Sequence, residues 1–439
     1  MFRINDFGAS GVTTPLGPKE LLNPTAKTVM KIIVWGINYA PELTGIAPCN
    51  TALCSYLQKQ GHDIRMVTTF AYYPAWNKAA SDHWRLFRTE VVGDVRVHRC
   101  WHYVPARPRA LTRMIHEASF VFTSFARLLA LPRPDVFVVI SPPLLLGQAA
   151  WLLTRFKRAP FVFHVQDLQP DAAVGLGMVH SGLLTRALYW IEAIAYRKAA
   201  RVSGISQGMI EAFRRKGVPS RKTAYLPNGV ALPKEHEFPA PGRFRERYGL
   251  GPSDVVAVYS GNLGVKQGLE HLIDIGRRLQ NPGIHVVICG GGARRDLLAE
   301  RIRRCSLRNV RLLPLQPEQH YREMLVDADI AIITQQRGAG SFCFPSKLLG
   351  NLAYGKPILA IADGTSELTH AVINGGFGIS VPAHDSGAAA DALEMMAENP
   401  LLLSRLGKAG RRYAEQFEMR QVLARFADQL CHASRGTDS

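Results

Sequence analysis

The sequence predicts an α/β protein built from two doubly wound, Rossmann-like domains that face a central cleft. Three observations lead to this fold class. Short apolar runs alternate with helical segments along most of the chain, glycine- and proline-containing loops follow the apolar runs, and a proline-rich break divides the alternation into two halves. The length of 439 residues also exceeds the usual domain size of roughly 100–200 residues.

The first domain is predicted over residues 30–232. A buried strand at Lys31–Gly36 precedes a loop with proline and glycine, a helix ending near Gln60, and a second strand at Asp63–Thr69. This spacing is that of a βαβ unit. Further strands are expected at 95–100, 134–140, 160–166, 202–205 and 224–226.

The second domain is predicted over residues 233–414, after a linker at 233–241 that contains three prolines. Its strands are expected near 255–259, 285–289, 310–313, 330–334 and 357–361. Residues 415–439 are expected to form a helix that packs back on the first domain, followed by a tail. Residues 1–29 carry charges, prolines and glycines, and the apolar pattern begins at Met30, so we expect a disordered or untranslated extension.

Composition narrows the class of function. Lys and Arg number 53 against 35 Asp and Glu, a net charge of +18 that favours a polyanionic partner: nucleic acid, an anionic membrane surface or a phosphorylated substrate. The sequence has no aromatic-plus-basic RNA motif or helix-turn-helix signature, so we do not expect nucleic acid as a partner. The seven cysteines include no CxxC pair and no cluster with zinc spacing, so neither a disulfide framework nor a metal site is indicated, and a reducing cytoplasm fits this pattern best. We also expect no cofactor. No apolar run approaches the ~20 residues of a spanning helix.

Two segments of the second half have the composition of phosphate-binding loops. In the first, Gly338 and Gly340 precede Pro345, Ser346 and Lys347 at the start of a helix, where free N–H groups and an ammonium could hold a diphosphate. The alternative is an ordinary capped helix. The second runs over 259–268 with Asn262 and Lys266, and a tight strand–helix turn would also explain its glycines. Residues 290–292, a triple glycine, are predicted to be a turn.

In the first half, polar residues follow predicted strands at the edge of the cleft. Gly45 lies in the loop after the first strand, and His164 and Asp167 flank the end of a later one. A carboxylate or an imidazole there could orient an acceptor hydroxyl or take its proton. A structural role for either residue is the alternative.

A basic amphipathic segment spans about 107–129. Arg107, Arg109 and Arg113 accompany apolar residues at helical spacing: Leu111, Met114, Ile115, Ala118, Phe122, Phe125 and Leu129. This pattern is typical of a helix lying on anionic headgroups, and equally of a helix packing on its own domain.

From Met30 to about Phe426 the chain resembles the GT-4 family of retaining glycosyltransferases, which have the GT-B fold. It most resembles the branch of colanic-acid and exopolysaccharide biosynthesis that includes a fucosyltransferase. The segments that carry the resemblance are Asn38–Glu42 with Thr44-Gly45, Val165–Asp171, Pro227–Val230, Ser260–Gly264 with Gln267–Leu269, and Phe344–Leu348 with Gly355-Lys356-Pro357.

The resemblance implies that the second domain binds a nucleotide sugar, with GDP-fucose as the first candidate. It implies that the first domain binds a lipid-diphosphate-linked saccharide acceptor. It implies retention of anomeric configuration without a metal, at the inner face of the cytoplasmic membrane. It also implies that Asp167, with His164, lies near the reacting centre. The donor would lie against Gly45, Asn262, Lys266, Pro345, Ser346 and Lys347.

The chain departs from the family at two carboxylates. Many members carry glutamates spaced E-x7-E, and the corresponding positions here are Phe342 and Gly350. Asn262 and Gln267 also stand where Arg and Lys are common. These departures leave open a UDP-sugar donor, or a degenerate binding protein. A dehydrogenase is disfavoured because the loop from Gly36 to Gly45 lacks GxGxxG.

Overall fold

A computed structural model describes residues 29–107, 109–175, 182–338 and 347–435. The expected extension lies outside these residues apart from Val29. So do Pro345 and Ser346, and the side chain of Lys266 is likewise outside what is described.

Two α/β units, each with a mainly parallel sheet, make up the described chain. The first contains β1 (Lys31–Trp35), α1 (Ala47–Lys59), β2 (Asp63–Thr69), β3 (Phe87–Val92), β4 (Val95–Cys100), α2 (Ala110–Ala130), β5 (Val136–Ser141), α3 (Leu146–Lys157), β6 (Phe161–Val165), α4 (Gln169–Gly175), α5 (Leu183–Lys198), β7 (Arg201–Gly204), α6 (Gln207–Arg215) and β8 (Thr223–Tyr225). The second contains α7 (Arg243–Arg247), β9 (Val255–Ser260), α8 (Glu270–Arg278), β10 (Ile284–Cys289), α9 (Arg295–Arg304), β11 (Val310–Leu313), α10 (Glu318–Asp327), β12 (Ile330–Thr334), α11 (Lys347–Ala353), β13 (Ile358–Ile361), α12 (Glu367–Gly375), β14 (Gly378–Val381), α13 (Ser386–Ala397) and α14 (Pro400–Glu415). A last helix, α15 (Met419–Arg435), follows.

The strand orders confirm the doubly wound class. The first sheet runs β3-β4-β2-β1-β5-β6-β7-β8, and the second runs β11-β10-β9-β12-β13-β14. All pairs are parallel except β3 with β4. The order reverses between β1 and β5 in one sheet and between β9 and β12 in the other. Crevices for ligands form at such reversal points, outside the carboxyl ends of the strands.

Helices cover both faces of the first sheet, which explains its apolar strands. All six residues of β5, Val136–Ser141, are buried, as expected for a parallel strand packed on two sides. One face packs against helices that include α2, α3, α5 and α6, and the other against α1 and α15. Phe426 and Leu430 of α15 lie in that second core, so the C-terminal helix packs on the first unit. The predicted boundaries at 232/233 and 414/415 remain predictions.

Two chain segments cross between the units. Val230 N donates to the carbonyl oxygen of Phe417 (2.8 Å), and Met419 N donates to that of Val230 (2.9 Å). A Cβ on Gly229 would lie 2.8 Å from the backbone of Met419, so the crossing is too close for a side chain at that position.

Candidate active site between the two sheets

The carboxyl ends of the two sheets face each other across a cleft. Ser206 and Gly208, which follow β7, and Thr365 and Glu367, which follow β13, line one cavity of about 750 Å³. Gly208 N donates to Glu367 Oε1 across it, at 3.3 Å. This cavity lies beside the crossing segments, since Gln416 and Phe417 also line it. The reversal points of both sheets stand two strands away from β7 in one sheet and one strand away from β13 in the other.

At the reversal point of the first sheet, a buried carboxylate ties two loops together. Glu42 accepts hydrogen bonds from the backbone N–H groups of Tyr72 (2.9 Å) and Tyr73 (2.8 Å) and from the Asn38 amide (2.8 Å). Burial raises the pKa of Glu42, and these hydrogen bonds oppose the rise. Glu42 therefore fixes the loop after β1 against the loop after β2.

Gly45, in that same loop, has the left-handed backbone that glycine tolerates best (φ +68°). A Cβ there would lie 3.4 Å from the Tyr73 ring. Arg99, on β4, also holds this loop, because its guanidinium donates to the carbonyl oxygens of Ala40 (2.6 Å) and Thr69 (3.1 Å). The backbone around Gly45 is thus held from several sides.

At the reversal point of the second sheet, two glycine loops run side by side. Leu263 N donates to the Gly291 carbonyl oxygen at 2.9 Å. A Cβ on Gly290 would lie 1.9 Å from the Gly261 carbonyl oxygen, and one on Gly292 would lie 2.6 Å from that of Leu263. Two members of the triple glycine that was predicted as a turn, Gly290 and Gly292, are required by this close packing, whereas a Cβ on Gly291 would meet nothing within 4 Å. Bare backbone therefore lines this edge of the cleft.

Lys347, the first residue of α11, reaches the glycine loops. A Cβ on Gly261 would lie 2.8 Å from Lys347 Nζ. The same ammonium donates to the Tyr259 hydroxyl at 2.7 Å and lies 3.9 Å from the centroid of that ring. The Tyr259 hydroxyl in turn donates to the Asn262 carbonyl oxygen at 2.8 Å. A positive charge is therefore fixed beside backbone that carries no side chains.

Asp167 lies in the loop after β6, near a second carboxylate that the sequence did not indicate. Glu117 of α2 accepts from the Gln169 amide at 3.2 and 3.3 Å. Burial raises the pKa of Glu117, and the Asp167 charge adds to the rise, while Gln169 and Arg113 oppose it. Two carboxyl groups and one guanidinium thus meet at the edge of the first sheet.

His164 does not face the cleft. Its Nδ1 lies 2.9 Å from Ser203 Oγ, its Nε2 lies 2.9 Å from the Gln166 amide nitrogen, and its ring packs 5.1 Å from Phe426. Burial lowers the pKa of His164 to about 4. Both ring nitrogens are engaged inside the unit, which argues against the expectation that His164 takes a proton from an acceptor.

Family models match both units. Residues 44–229 match the glycosyl transferase 4-like domain, and residues 242–413 match glycosyl transferases group 1. WcaI of Escherichia coli K12, provisionally described as a colanic acid biosynthesis glycosyl transferase, is 32% identical over 91% of this chain and 100% of its own. The chain belongs to this family of glycosyl transferases.

More distant comparisons agree on the transferase fold. WbjE of Pseudomonas aeruginosa, described as a glycosyltransferase, is 24% identical over 65% of this chain and 71% of its own. Sucrose-phosphate synthase from Thermosynechococcus elongatus superposes with a TM-score of 0.71 at 18% identity, covering 92% of this chain and 98% of that one. HepE of Anabaena, solved with UDP, superposes with a TM-score of 0.66 at 16% identity, covering 92% of this chain and 100% of that one. The GT-B fold is confirmed.

The transferase brings together part of the predicted site. Gly45 and Asp167 lie at the edge of the first sheet, and the exposed Asn262 with Lys347 at that of the second. Arg107 and Arg109 are exposed at the start of α2, and Arg113 lies 5.8 Å over the Trp76 ring. Over the described residues, no group of three or more His, Cys, Asp or Glu side chains could hold a metal ion.

Sequence reasoning missed Arg99, Glu117 and Tyr259, which hold or flank the predicted residues. Arg99 is almost wholly buried on β4, which also carries Arg96 and His98, so its sequence context does not single it out. Glu117 and Tyr259 carry no local signal either, because Gln169 and Lys347, which contact them, stand 52 and 88 positions away.

Proposed function

We propose that this transferase moves a sugar from a nucleotide donor to a saccharide acceptor during assembly of an exopolysaccharide. The observation that carries the proposal is the Lys347 ammonium beside the bare backbone of Gly261. Full-length similarity to WcaI, with its provisional role in colanic acid biosynthesis, supports the polysaccharide context.

The donor diphosphate is proposed to lie over the glycine loops of the second unit. Gly290 and Gly292 let the second glycine loop pack against the first. Because Gly261 carries no side chain, a phosphate oxygen can approach the Lys347 ammonium beside it, and Lys347 supplies the charge that opposes the diphosphate. Gly45 gives the diphosphate the same close approach from the first unit. Lys266, Pro345 and Ser346 remain proposed donor contacts on sequence alone.

The proposed chemistry retains the anomeric configuration. An acceptor oxygen attacks the anomeric carbon on the face from which the diphosphate leaves, as the carbon–oxygen bond to the diphosphate breaks. The acceptor proton passes to a leaving phosphate oxygen, giving a glycoside and a nucleoside diphosphate. Lys347 stabilises the charge that develops on the leaving group, and Asp167 orients the acceptor.

The donor nucleotide distinguishes two versions of this proposal. Resemblance favours GDP-fucose, whereas HepE was solved with UDP and with UDP-glucose, which favours a UDP-sugar. A thermal-shift panel of GDP, UDP and their sugars separates them, because a ligand at 100 times its Kd stabilises by about 2.7 kcal/mol. If neither the GDP nor the UDP family raises the melting temperature, the proposal is overturned.

The acceptor is proposed to be lipid-linked and approached from an anionic membrane surface at the cytoplasmic face. One side of α2 packs Phe120 and Leu128 into the core, while Leu111, Phe122 and Leu129 on the same helix are exposed. The adjacent α3 and α5 also expose large apolar side chains: Leu152, Phe156, Leu183, Leu184 and Trp190. Apolar residues beside Arg107 and Arg109 suit a helix at anionic headgroups. Within the described chain no helix is both long and apolar enough to cross a membrane.

A second candidate is a binding protein that has lost turnover. Gly350 offers no carboxylate where many relatives of this type carry glutamate, and this observation favours it. Such a protein would raise its melting temperature with a nucleotide sugar but would release no nucleoside diphosphate, even with membrane extract present.

A further inference from the structure

We infer that Glu117 binds a hydroxyl group of a neutral saccharide unit of the acceptor, in a subsite flanked by Trp76. The inference rests on the proposed function and deepens it, by naming an acceptor-side residue and the chemical class that it recognises.

Glu117 lies where the acceptor should meet the donor. It projects from α2 toward the start of α4, where Gln169 Nε2 contacts both of its oxygens at 3.2 and 3.3 Å. Gln169 is itself fixed, because its Oε1 accepts from Leu144 N at 2.5 Å in the loop after β5. The carboxylate is therefore held at the carboxyl ends of β5 and β6, next to the reversal point of the sheet.

The hydrogen bonding of Glu117 contrasts with that of Glu42. A carboxylate offers about four acceptor positions. Glu42 fills three of them with donors at 2.8–2.9 Å and is almost wholly buried, as suits a structural role. Among the described residues Glu117 receives hydrogen bonds from Gln169 alone, at longer distances, and it is half-buried. Its remaining acceptor capacity faces an edge of the cleft and suits ligand hydroxyls.

Two aromatic rings pack against the turn of α2 that carries this carboxylate. The rings of Tyr72 and Trp76 lie 4.7 and 5.3 Å from that of His116, the residue before Glu117, and 5.4 Å from each other. Sugars present apolar C–H faces together with hydroxyls, and pockets that combine aromatic rings with a few polar groups match both.

The balance of charge selects the class of ligand. Glu42, Glu117 and Asp167 are opposed in this cluster by the guanidinium of Arg113, because that of Arg99, which also acts on Glu42, is paired with Glu90 at 2.6 Å. A phosphate here would meet more like charge than opposite charge, which disfavours the lipid diphosphate and favours an uncharged sugar. The diphosphate of a lipid-linked acceptor would accordingly lie outside this subsite.

Binding of methyl glycosides tests the inference without the natural acceptor. Saturation-transfer NMR with methyl α-mannoside, methyl β-glucoside and methyl β-galactoside would compare the wild-type chain, Glu117→Gln and the matched surface control Glu300→Gln. We expect at least one glycoside to bind the wild type and the control equally, and to bind Glu117→Gln about 10-fold more weakly, because a charge-assisted hydrogen bond is lost.

Equal binding by Glu117→Gln and wild type, or no glycoside bound by the wild type, would overturn the inference. Donor-nucleotide thermal shifts run in parallel and should be unchanged in Glu117→Gln. If Glu117→Gln loses both glycoside binding and the donor-nucleotide thermal shift, Trp76→Leu is tested in its place. Trp76→Leu should lose glycoside binding and keep the thermal shift. Unchanged glycoside binding by Trp76→Leu would also overturn the inference. Failure of the proposed function is a separate result: no nucleotide or nucleotide sugar would shift the wild-type melting temperature.

Discussion

Substituting Gly290 by alanine tests whether the paired glycine loops of the second unit are built by backbone contact. The new Cβ would lie 1.9 Å from the Gly261 carbonyl oxygen, and the backbone at Gly290 has φ +153°. An unfavourable backbone conformation costs roughly 1–3 kcal/mol. Overpacking costs roughly 1–3 kcal/mol more. We therefore expect Gly290→Ala to destabilise the chain by at least about 2 kcal/mol.

Gly291→Ala is the matched control, because nothing lies within 4 Å of its Cβ position and its φ is not in the left-handed region. At about 2–4 °C per kcal/mol for a unit of this size, Gly290→Ala should melt at least about 4 °C below wild type. Gly291→Ala should stay within about 0.5 kcal/mol of wild type. The rise in melting temperature that a donor nucleotide causes should be smaller in Gly290→Ala than in wild type and unchanged in Gly291→Ala. Equal melting temperatures for the two variants would refute the reasoning.

Three further predictions concern donor, stability and membrane. Lys347→Ala should weaken nucleoside diphosphate binding roughly 10-fold or more in calorimetry, with Lys347→Arg retaining part of it; equal affinities would contradict its role. Burial lowers the pKa of His164 from 6.5 to about 4, so the folded chain favours the neutral imidazole. The free energy of unfolding should therefore be unaffected by His164 above pH 6.5 and should fall by up to about 3 kcal/mol as the pH drops through 4. His164→Gln should flatten that part of the pH dependence of unfolding, and an unchanged profile would contradict it. Phe122→Asp (78% exposed) should reduce co-sedimentation with anionic vesicles, whereas Leu401→Asp (85% exposed, second unit) should not; equal retention would contradict the membrane surface.

The parallel strands were predictable because helices cover them on both sides. The buried runs of β5 and β12 contain almost no polar residue, so they stand out against the loops. β3 was not predicted. It is an antiparallel edge strand whose residues are mostly half-buried, and Arg88 and Glu90 on it resemble a surface loop.

The candidate site was predictable where a short segment carries the chemistry. Lys347 stands in a segment whose composition favours phosphate contact, whereas the proposed donor contact of Gly45 comes from the family resemblance. His164 misled because β6 is buried over its whole length, and its partner Ser203 stands on the neighbouring strand. Glu117 was missed because α2 and the loop after β6 meet only in the folded chain.

The spacing of Gly290 and Gly292 shows the same limit. A triple glycine after a strand predicts a turn, and nothing local indicates that it packs on Gly261 and Leu263, about thirty positions earlier. Contacts between distant loops decide which glycines are required, and one sequence does not contain them.

Release of nucleoside diphosphate from a nucleotide sugar tests the central claim most directly. Purified protein would be incubated with GDP-fucose or UDP-glucose and a bacterial membrane lipid extract, with Lys347→Ala alongside. We predict release from one donor, matched by transfer of labelled sugar to the lipid fraction and strongly reduced in Lys347→Ala. Binding of either donor without release or transfer would contradict the account and identify a binding protein instead.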